Sequence, residues 1–215
     1  MNKLANAVLD FFVPQSCPCC TRLIGTDRLI CEDCEKKLKL YDSIEAPPEL
    51  CSLFVSAFIY EDEAKNGVLA LKEGEGRNFA VYAAGLIAPK LEGCGATLIT
   101  SVPMSLPKQL YRGGNQSDVF AKELGKRLGL PCDLKLLRQR NDRDAQHDLP
   151  AAERREHAEN IYEVAQNARS LKGEKIILCD DIRTTGSTLT ACASLLLSLG
   201  AEEVAAVTIC RATKK

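Results

Sequence analysis

The segment Ile176-Ile-Leu-Cys-Asp-Asp-Ile-Arg-Thr-Thr-Gly-Ser-Thr-Leu189 constrains the fold more than any other. An apolar run ends in two adjacent carboxylates, Asp180 and Asp181. A turn rich in hydroxyls and glycine, Thr184–Thr188, then opens an apolar segment of helical length that Gly200 stops. Strand, tight turn, helix is the unit from which parallel sheets are assembled. In open sheets of that kind ligands sit beyond the carboxyl ends of the strands. A helix N-terminus at that place offers free N–H groups and partial positive charge to a phosphate. Gly186 permits close backbone approach, and Thr184, Thr185, Ser187 and Thr188 add hydroxyl donors. Two carboxylates beside such a cradle would repel an anion unless they accept hydrogen bonds from sugar hydroxyls or act through Mg²⁺. The combination suits a ribose 5-phosphate. It is not a Walker loop, and no Gly-x-Gly-x-x-Gly follows a strand. The plainer alternative is a junction in which Asp181 and Thr185 only cap the helix.

The remaining chain repeats the alternation. Apolar runs at Leu53–Tyr60, Ala96–Val102, Lys175–Cys179 and Val204–Cys210 read as strands. Helical patterns fall at Glu61–Lys72, Asn78–Leu91, Asn115–Leu128 and Ser187–Leu199. The expectation is an α/β fold, a mostly parallel sheet flanked by helices. A polar stretch, Arg138–Glu159, interrupts the pattern. Pro47 and Pro48 mark Asp42–Cys51 as a linker. Two units follow: residues 1–45, an N-terminal helix (Leu4, Val8, Phe11 and Phe12 on one face) with a cysteine module, and residues 52–215, the sheet domain. The N-terminus has no cleavage pattern. The longest uncharged stretch, Thr184–Ala201, is half Ser, Thr and Gly, so no membrane span and a cytoplasmic location are expected.

Cys17-x-x-Cys20 and Cys31-x-x-Cys34 present four thiolates at a spacing that suits tetrahedral Zn²⁺ in a closed, structural site. Two disulfides are the alternative, and an iron–sulfur cluster a third. Cys19 is a rival ligand to Cys20. The other six cysteines are scattered among apolar segments and read as packing. A net charge of −1 and 5% aromatic residues argue against holding nucleic acid by bulk charge or by stacking platforms. The only histidines, His147 and His157, read as polar loop or helix residues. Lys72 stands at a helix end, where it could reach an anionic ligand or simply face water.

The strand–Asp-Asp–Thr-Thr-Gly segment resembles the phosphoribosyl-diphosphate (PRPP) motif of type I phosphoribosyltransferases. Together with the cysteine pairs, Leu71-Lys72, Val102-Pro103-Met104-Ser105, Arg112-Gly-Gly-Asn-Gln116, Arg138-Gln-Arg140, Gln146 and Glu153-Arg154, it makes nearly the whole chain similar to the ComF family. That family comprises competence-associated proteins with an N-terminal zinc module. This chain departs from the family pattern at Gly114, where phenylalanine is usual, at Ser101, where proline is frequent, and near His157, where asparagine is common.

The resemblance implies a type I phosphoribosyltransferase-like sheet and Mg²⁺-dependent transfer of a 5-phosphoribosyl group with release of pyrophosphate. Asp180 and Asp181 would bind the ribose hydroxyls, directly or through the metal. Thr184–Thr188 would hold the 5′-phosphate, and Val102–Ser105 would face the pyrophosphate. Arg138–Gln146, with Arg138 and Arg140, would form a mobile loop closing over it, and Lys72 and Arg112 would add cationic contacts. Alternatives are a PRPP or nucleotide sensor without turnover, or an accessory factor in DNA uptake, transformation or repair that handles single-stranded DNA. A homo-oligomer is compatible with all of these.

Overall fold

The computed structural model describes residues 15–140 and 161–213. The expected N-terminal helix, Gln146, Glu153, Arg154 and both histidines lie outside them. In chain order the elements are β1 (Gln15–Ser16), β2 (Leu23–Ile24), α1 (Glu32–Lys37), β3 (Leu53–Ile59), α2 (Asp62–Lys72), α3 (Arg77–Ile87), β4 (Leu98–Ser101), α4 (Leu106–Arg112), α5 (Gln116–Leu128), β5 (Leu137–Gln139), β6 (Tyr162–Val164), β7 (Lys175–Arg183), α6 (Ser187–Ser198) and β8 (Glu203–Arg211).

Four strands form one parallel sheet in the order β3-β8-β7-β4. Side-chain alternation divides the core into two layers. Ile177 and Cys179 of β7 and Ala205, Val207 and Ile209 of β8 face a cluster built with Val68, Phe79, Ala83, Phe120 and Leu124 of α2, α3 and α5. Ile176 and Leu178, with Val204 and Ala206, face Leu189, Cys192, Ala193 and Leu196 of α6. Phe58 and Phe79 are wholly buried with ring centroids 5.3 Å apart, a pairing that adds roughly 1 kcal/mol to their area burial. The edge beyond β4 is extended by a parallel bridge between Ile99 and Cys132. The opposite edge, along β3, is covered by an antiparallel bridge from Leu40 to Phe58.

The cysteine module shares the first of these core layers: Cys17, Cys19, Ile30, Cys31, Cys34 and Leu38 join Phe58 and Phe79 in one apolar cluster. Tyr82 Oη donates to Glu35 Oε1 at 2.9 Å across that contact.

Several expectations need correction. β7 does not stop before the carboxylates. It continues to Arg183 because Asp180, Ile182 and Arg183 pair with Thr208, Cys210 and Arg211 of β8. The helix expected at Asn78–Leu91 ends at Ile87 and tightens into a 3₁₀ turn, Ala88–Leu91, where Pro89 cannot supply an α-helical N–H. The polar stretch begins not as a loop but as β5, which pairs antiparallel with β6. The linker at 42–51 is tied to the sheet by side chains described below.

Candidate functional site

β4 and β7 run in register from Leu98–Ile176 to Ser101–Cys179, where β4 ends and β7 continues four residues further to Arg183. Beyond β4 the chain passes through Val102–Ser105, and beyond β7 through Thr184–Gly186 into α6. Gly186 has φ +94°, and a Cβ there would stand 3.3 Å from Arg183 Nε and 3.4 Å from Pro48 Cβ. A side chain is excluded both by backbone strain and by crowding. Ser187 N–H donates to Thr185 Oγ1 at 3.4 Å, and the two hydroxyls are 3.1 Å apart. Asp181 and Thr185 are not the N-cap: Gly186 occupies that position and makes no side-chain cap bond. Thr185 Oγ1 thus takes the first amide of α6, while Gly186 brings no side chain to those that follow.

Asp180 is buried. Its Oδ1 accepts from Ser117 Oγ at 3.0 Å and from the Asp181 N–H at 2.9 Å. Burial, then the neighbouring Asp181 carboxylate, raises its pKa to about 7 against those hydrogen bonds. Asp181 is the more open of the two. Its Oδ2 meets Lys72 Nζ at 3.2 Å, the side chains being 18% and 25% exposed. Lys72 thus comes from the far end of α2 to neutralise the strand's mouth.

The β4 loop is held by its own network. Asn115 Nδ2 donates to Val102 O at 2.9 Å and to Asp118 Oδ1 at 2.8 Å, and Ser101 Oγ donates to the same Asp118 oxygen at 2.5 Å. Gln109 Nε2 donates to Met104 O at 2.6 Å, and Ser105 N–H donates to Gln139 Oε1 at 2.7 Å. Asn115 also caps α5 by accepting from Ser117 N–H at 3.2 Å. A cleft of about 280 Å³ opens here, its walls including Pro103, Met104, Gln109, Asp118, Arg138 and Gln139.

Of the residues singled out in the sequence, Lys72, Asp180 and Asp181 come together, while Thr184–Thr188 follow directly on the same strand. Pro103, Met104 and Arg138 share the cleft. Arg138 and Arg140 both turn to Glu163 of β6, at 2.6 and 2.7 Å. Arg112 Nη1 lies 3.5 Å from Gln116 Oε1. Ser117, Asp118 and Tyr162 were not singled out. Burial pushes the Tyr162 phenol up to about 12, with Thr188 as a hydrogen-bonding neighbour. Ser117 and Asp118 follow directly on the Arg-Gly-Gly-Asn-Gln run, which is the signal for them. Tyr162 had none.

Cys17, Cys20, Cys31 and Cys34 form a second constellation. Their four sulfurs lie within 4.8 Å of one another, and Cys20 and Cys31 Sγ are 3.7 Å apart. A tetrahedron with bonds of ~2.3 Å has edges of about 3.8 Å, so the set could hold a metal ion such as zinc. Burial opposes the Cys31 thiolate, but the Cys34 N–H and then the neighbouring thiols bring its pKa down to about 7. Cys19 is buried outside the cluster, and burial raises its thiol, which resolves the rivalry in favour of Cys20. None of the cysteines in the described residues is in a disulfide.

Residues 115–215 match the model of the phosphoribosyl transferase domain. The chain is 32% identical over 106 residues to Competence protein F of Haemophilus influenzae, covering 49% of this chain and 46% of that one. It is 27% identical over 207 residues to DNA utilization protein YhgH of Escherichia coli O157:H7, covering 91% of this chain and 89% of that one. The chain is a relative of these competence and DNA utilization proteins. The ComF resemblance read from its motifs therefore holds, and the parallel sheet with a four-cysteine cluster is the expected architecture. The matched stretch spans about half the length of Competence protein F. Among solved structures, glutamine PRPP amidotransferase from B. subtilis, complexed with ADP and GMP, is similar at 20% identity with a TM-score of 0.44, covering 62% of this chain and 27% of that one. No helix among the described residues is long and apolar enough to cross a membrane.

Proposed function

We propose that this protein binds PRPP with Mg²⁺ and transfers its 5-phosphoribosyl group to a nitrogen nucleophile. The observation that carries the reading is the Lys72–Asp181–Asp180 cluster at the mouth of β7, directly before the Gly186 turn and the N-terminus of α6. The turn's amides and the hydroxyls of Thr184, Thr185, Ser187 and Thr188 bind the 5′-phosphate. Asp181, with the open carboxylate, accepts from a ribose hydroxyl. Asp180 orients the Asp181 N–H and is itself fixed by Ser117. Lys72 moves from Asp181 to the pyrophosphate as the sugar arrives, because the incoming anion offers it more charge. The Val102–Ser105 loop borders the leaving group, and the cleft between it and Arg138–Gln139 seats the acceptor.

Asp181 offers the hard oxygen donor that Mg²⁺ prefers, and the ion when bound would neutralise pyrophosphate charge. In the transfer the C1′–N bond forms as the C1′–O bond breaks. Pyrophosphate leaves with the electron pair, and the nucleophile's proton passes to water or to the leaving group. The chain's contribution is position and charge. Zn²⁺ on Cys17, Cys20, Cys31 and Cys34 is structural in this reading, a clasp for a module too small to fold alone. Calorimetry with PRPP, with and without Mg²⁺, followed by a pyrophosphate-release screen over purine, pyrimidine and amine acceptors, tests it. Absence of PRPP binding refutes it, and binding without release with any acceptor leaves a sensor.

A second reading, handling of single-stranded DNA, is favoured by the relatives' names and by α4. That helix buries none of its residues and exposes 90% of Tyr111, with Lys108 and Arg112 beside it. An exposed ring flanked by cations is a stacking platform. Filter binding of an oligonucleotide at two salt concentrations, with Tyr111→Ala as comparison, decides it. No retention at low salt excludes it.

A further inference from the structure

The segment between the cysteine module and the sheet is bonded to Arg183 and Arg211, and its Pro48 lies against Gly186 of the turn. Arg211 near the end of β8 donates from Nε to Glu45 Oε2 at 2.6 Å and from Nη2 to Glu45 Oε1 at 2.5 Å. Its remaining nitrogen, Nη1, faces three carbonyls, Thr184 O and Ala212 O at 2.5 Å and Arg183 O at 3.3 Å. Tyr41 Oη donates to Glu45 Oε2 at 2.7 Å. Arg183, only 7% exposed, sends both terminal nitrogens to Ala46 O at 3.1 Å and lies over the Phe54 ring at 4.3 Å. Its Nε has no partner and faces the Gly186 turn, 3.3 Å from where a Cβ would be.

A fork bond to a carboxylate fixes a guanidinium in plane and direction, which a single contact does not. With Glu45 holding two of its nitrogens, the third is aimed at the carbonyls that crowd the ends of β7 and β8, those of Thr184, Ala212 and Arg183. A buried arginine pair facing one carboxylate also leaves one net positive charge under the turn. Arg211 holds the Glu45 carboxyl down at about 2, so the fork persists at all ordinary pH.

We infer that Glu45 is a positioning residue for the phosphate-binding turn: acting through Arg211, it fixes the Thr184 carbonyl and so the direction of the amides that follow. This deepens the PRPP reading and rests on it for the ligand. What passes for a linker is a strap whose two ends, the cysteine module and the turn, are joined by it.

The two physical contributions make opposite predictions for Glu45→Gln. Removing a negative charge beneath the turn would tighten phosphate binding if charge alone mattered. Loss of the fork weakens it. We expect Glu45→Gln, in the full zinc-loaded chain, to weaken Mg²⁺-PRPP binding by about tenfold or more. We expect amide hydrogen exchange in residues 184–190 to quicken by a similar factor, about tenfold, while residues 77–87 of α3 stay unchanged. Tyr41→Phe, which removes one bond to Glu45 and little volume, should move both readouts in the same direction by less. It decides the matter if Glu45→Gln fails to fold. Unchanged exchange in the turn, or tighter PRPP binding, overturns the inference. Faster exchange in a protein that in its unmodified form binds no PRPP would leave the strap standing and sink the ligand assignment instead.

Discussion

Asp180→Asn is the most informative single substitution, because asparagine reproduces the protonated carboxyl. It keeps an acceptor oxygen for Ser117 Oγ and the Asp181 N–H, and it removes the charge. Burial and the adjacent carboxylate lift the Asp180 pKa from an ordinary 3.8 to about 7. Below pH 4 the folded and unfolded chains both carry this proton. Between pH 4 and 7 the folded chain retains it and the unfolded chain has released it, so stability falls as pH rises. Above pH 7 the buried anion carries its full cost. At 1.36 kcal/mol per pH unit this amounts to up to roughly 4 kcal/mol. Urea unfolding followed by circular dichroism, at half-unit steps from pH 5.5 to 8.5, measures it for both proteins. Taking the difference at each pH cancels the protonation of the cysteines. Asp180→Asn should be the more stable above pH 7, with the advantage shrinking toward pH 5.5. Parallel curves, or a variant less stable at pH 8, would refute the burial argument.

Other substitutions test the core and the module. Phe79→Ala removes a fully buried ring stacked on Phe58 and should cost about 3–5 kcal/mol in the same unfolding assay. Gly67→Ala would place a Cβ 2.6 Å from the Phe79 ring, so overpacking should cost about 1–3 kcal/mol, and Phe79→Leu in the same chain should recover part of it. Cys34→Ser should abolish stoichiometric zinc in metal analysis and lower the melting temperature, whereas Cys19→Ser should leave the zinc content unchanged. Arg77→Ala breaks an exposed pair with Glu123 and should change stability by less than about 1 kcal/mol in the same assay.

The strands and helices of the sheet were legible because their patterns are local. Ile177 and Cys179 alternate with Ile176 and Leu178, and a period of two tells the chain which side of each residue is covered. The Asp-Asp–Thr-Thr-Gly turn was legible because its chemistry is contiguous. What escaped is non-local or weakly patterned. β5 and β6 are three residues each, too short to show a period, and each exists only because the other is opposite. α4 has no buried face, so its apolar residues gave no amphipathic signal. Lys72 was noticed at a helix end, but nothing in the spacing says that it reaches Asp181. Glu45 sat in a Pro-containing stretch that composition marks as connecting chain. Its partner, Arg211, is 166 residues away. β7 runs past the expected Cys179 because acidic residues are poor strand formers by themselves, and pairing with β8 overrides that preference.

The strand order carries a consequence for biosynthesis. β8 is made last of the described strands yet lies between β3 and β7, touching both. Until it leaves the ribosome, β3 on one side and the β7–β4 pair on the other have no shared edge. The nascent chain must hold two exposed, apolar strand borders apart while it waits. Closing the sheet is then a single insertion at long sequence separation, the slow kind of step. A ribosome stalled before Glu203 should present a chain with its cysteine knuckle already competent to take metal and its ligand turn still unset, a species that chaperones would see and the finished protein would not.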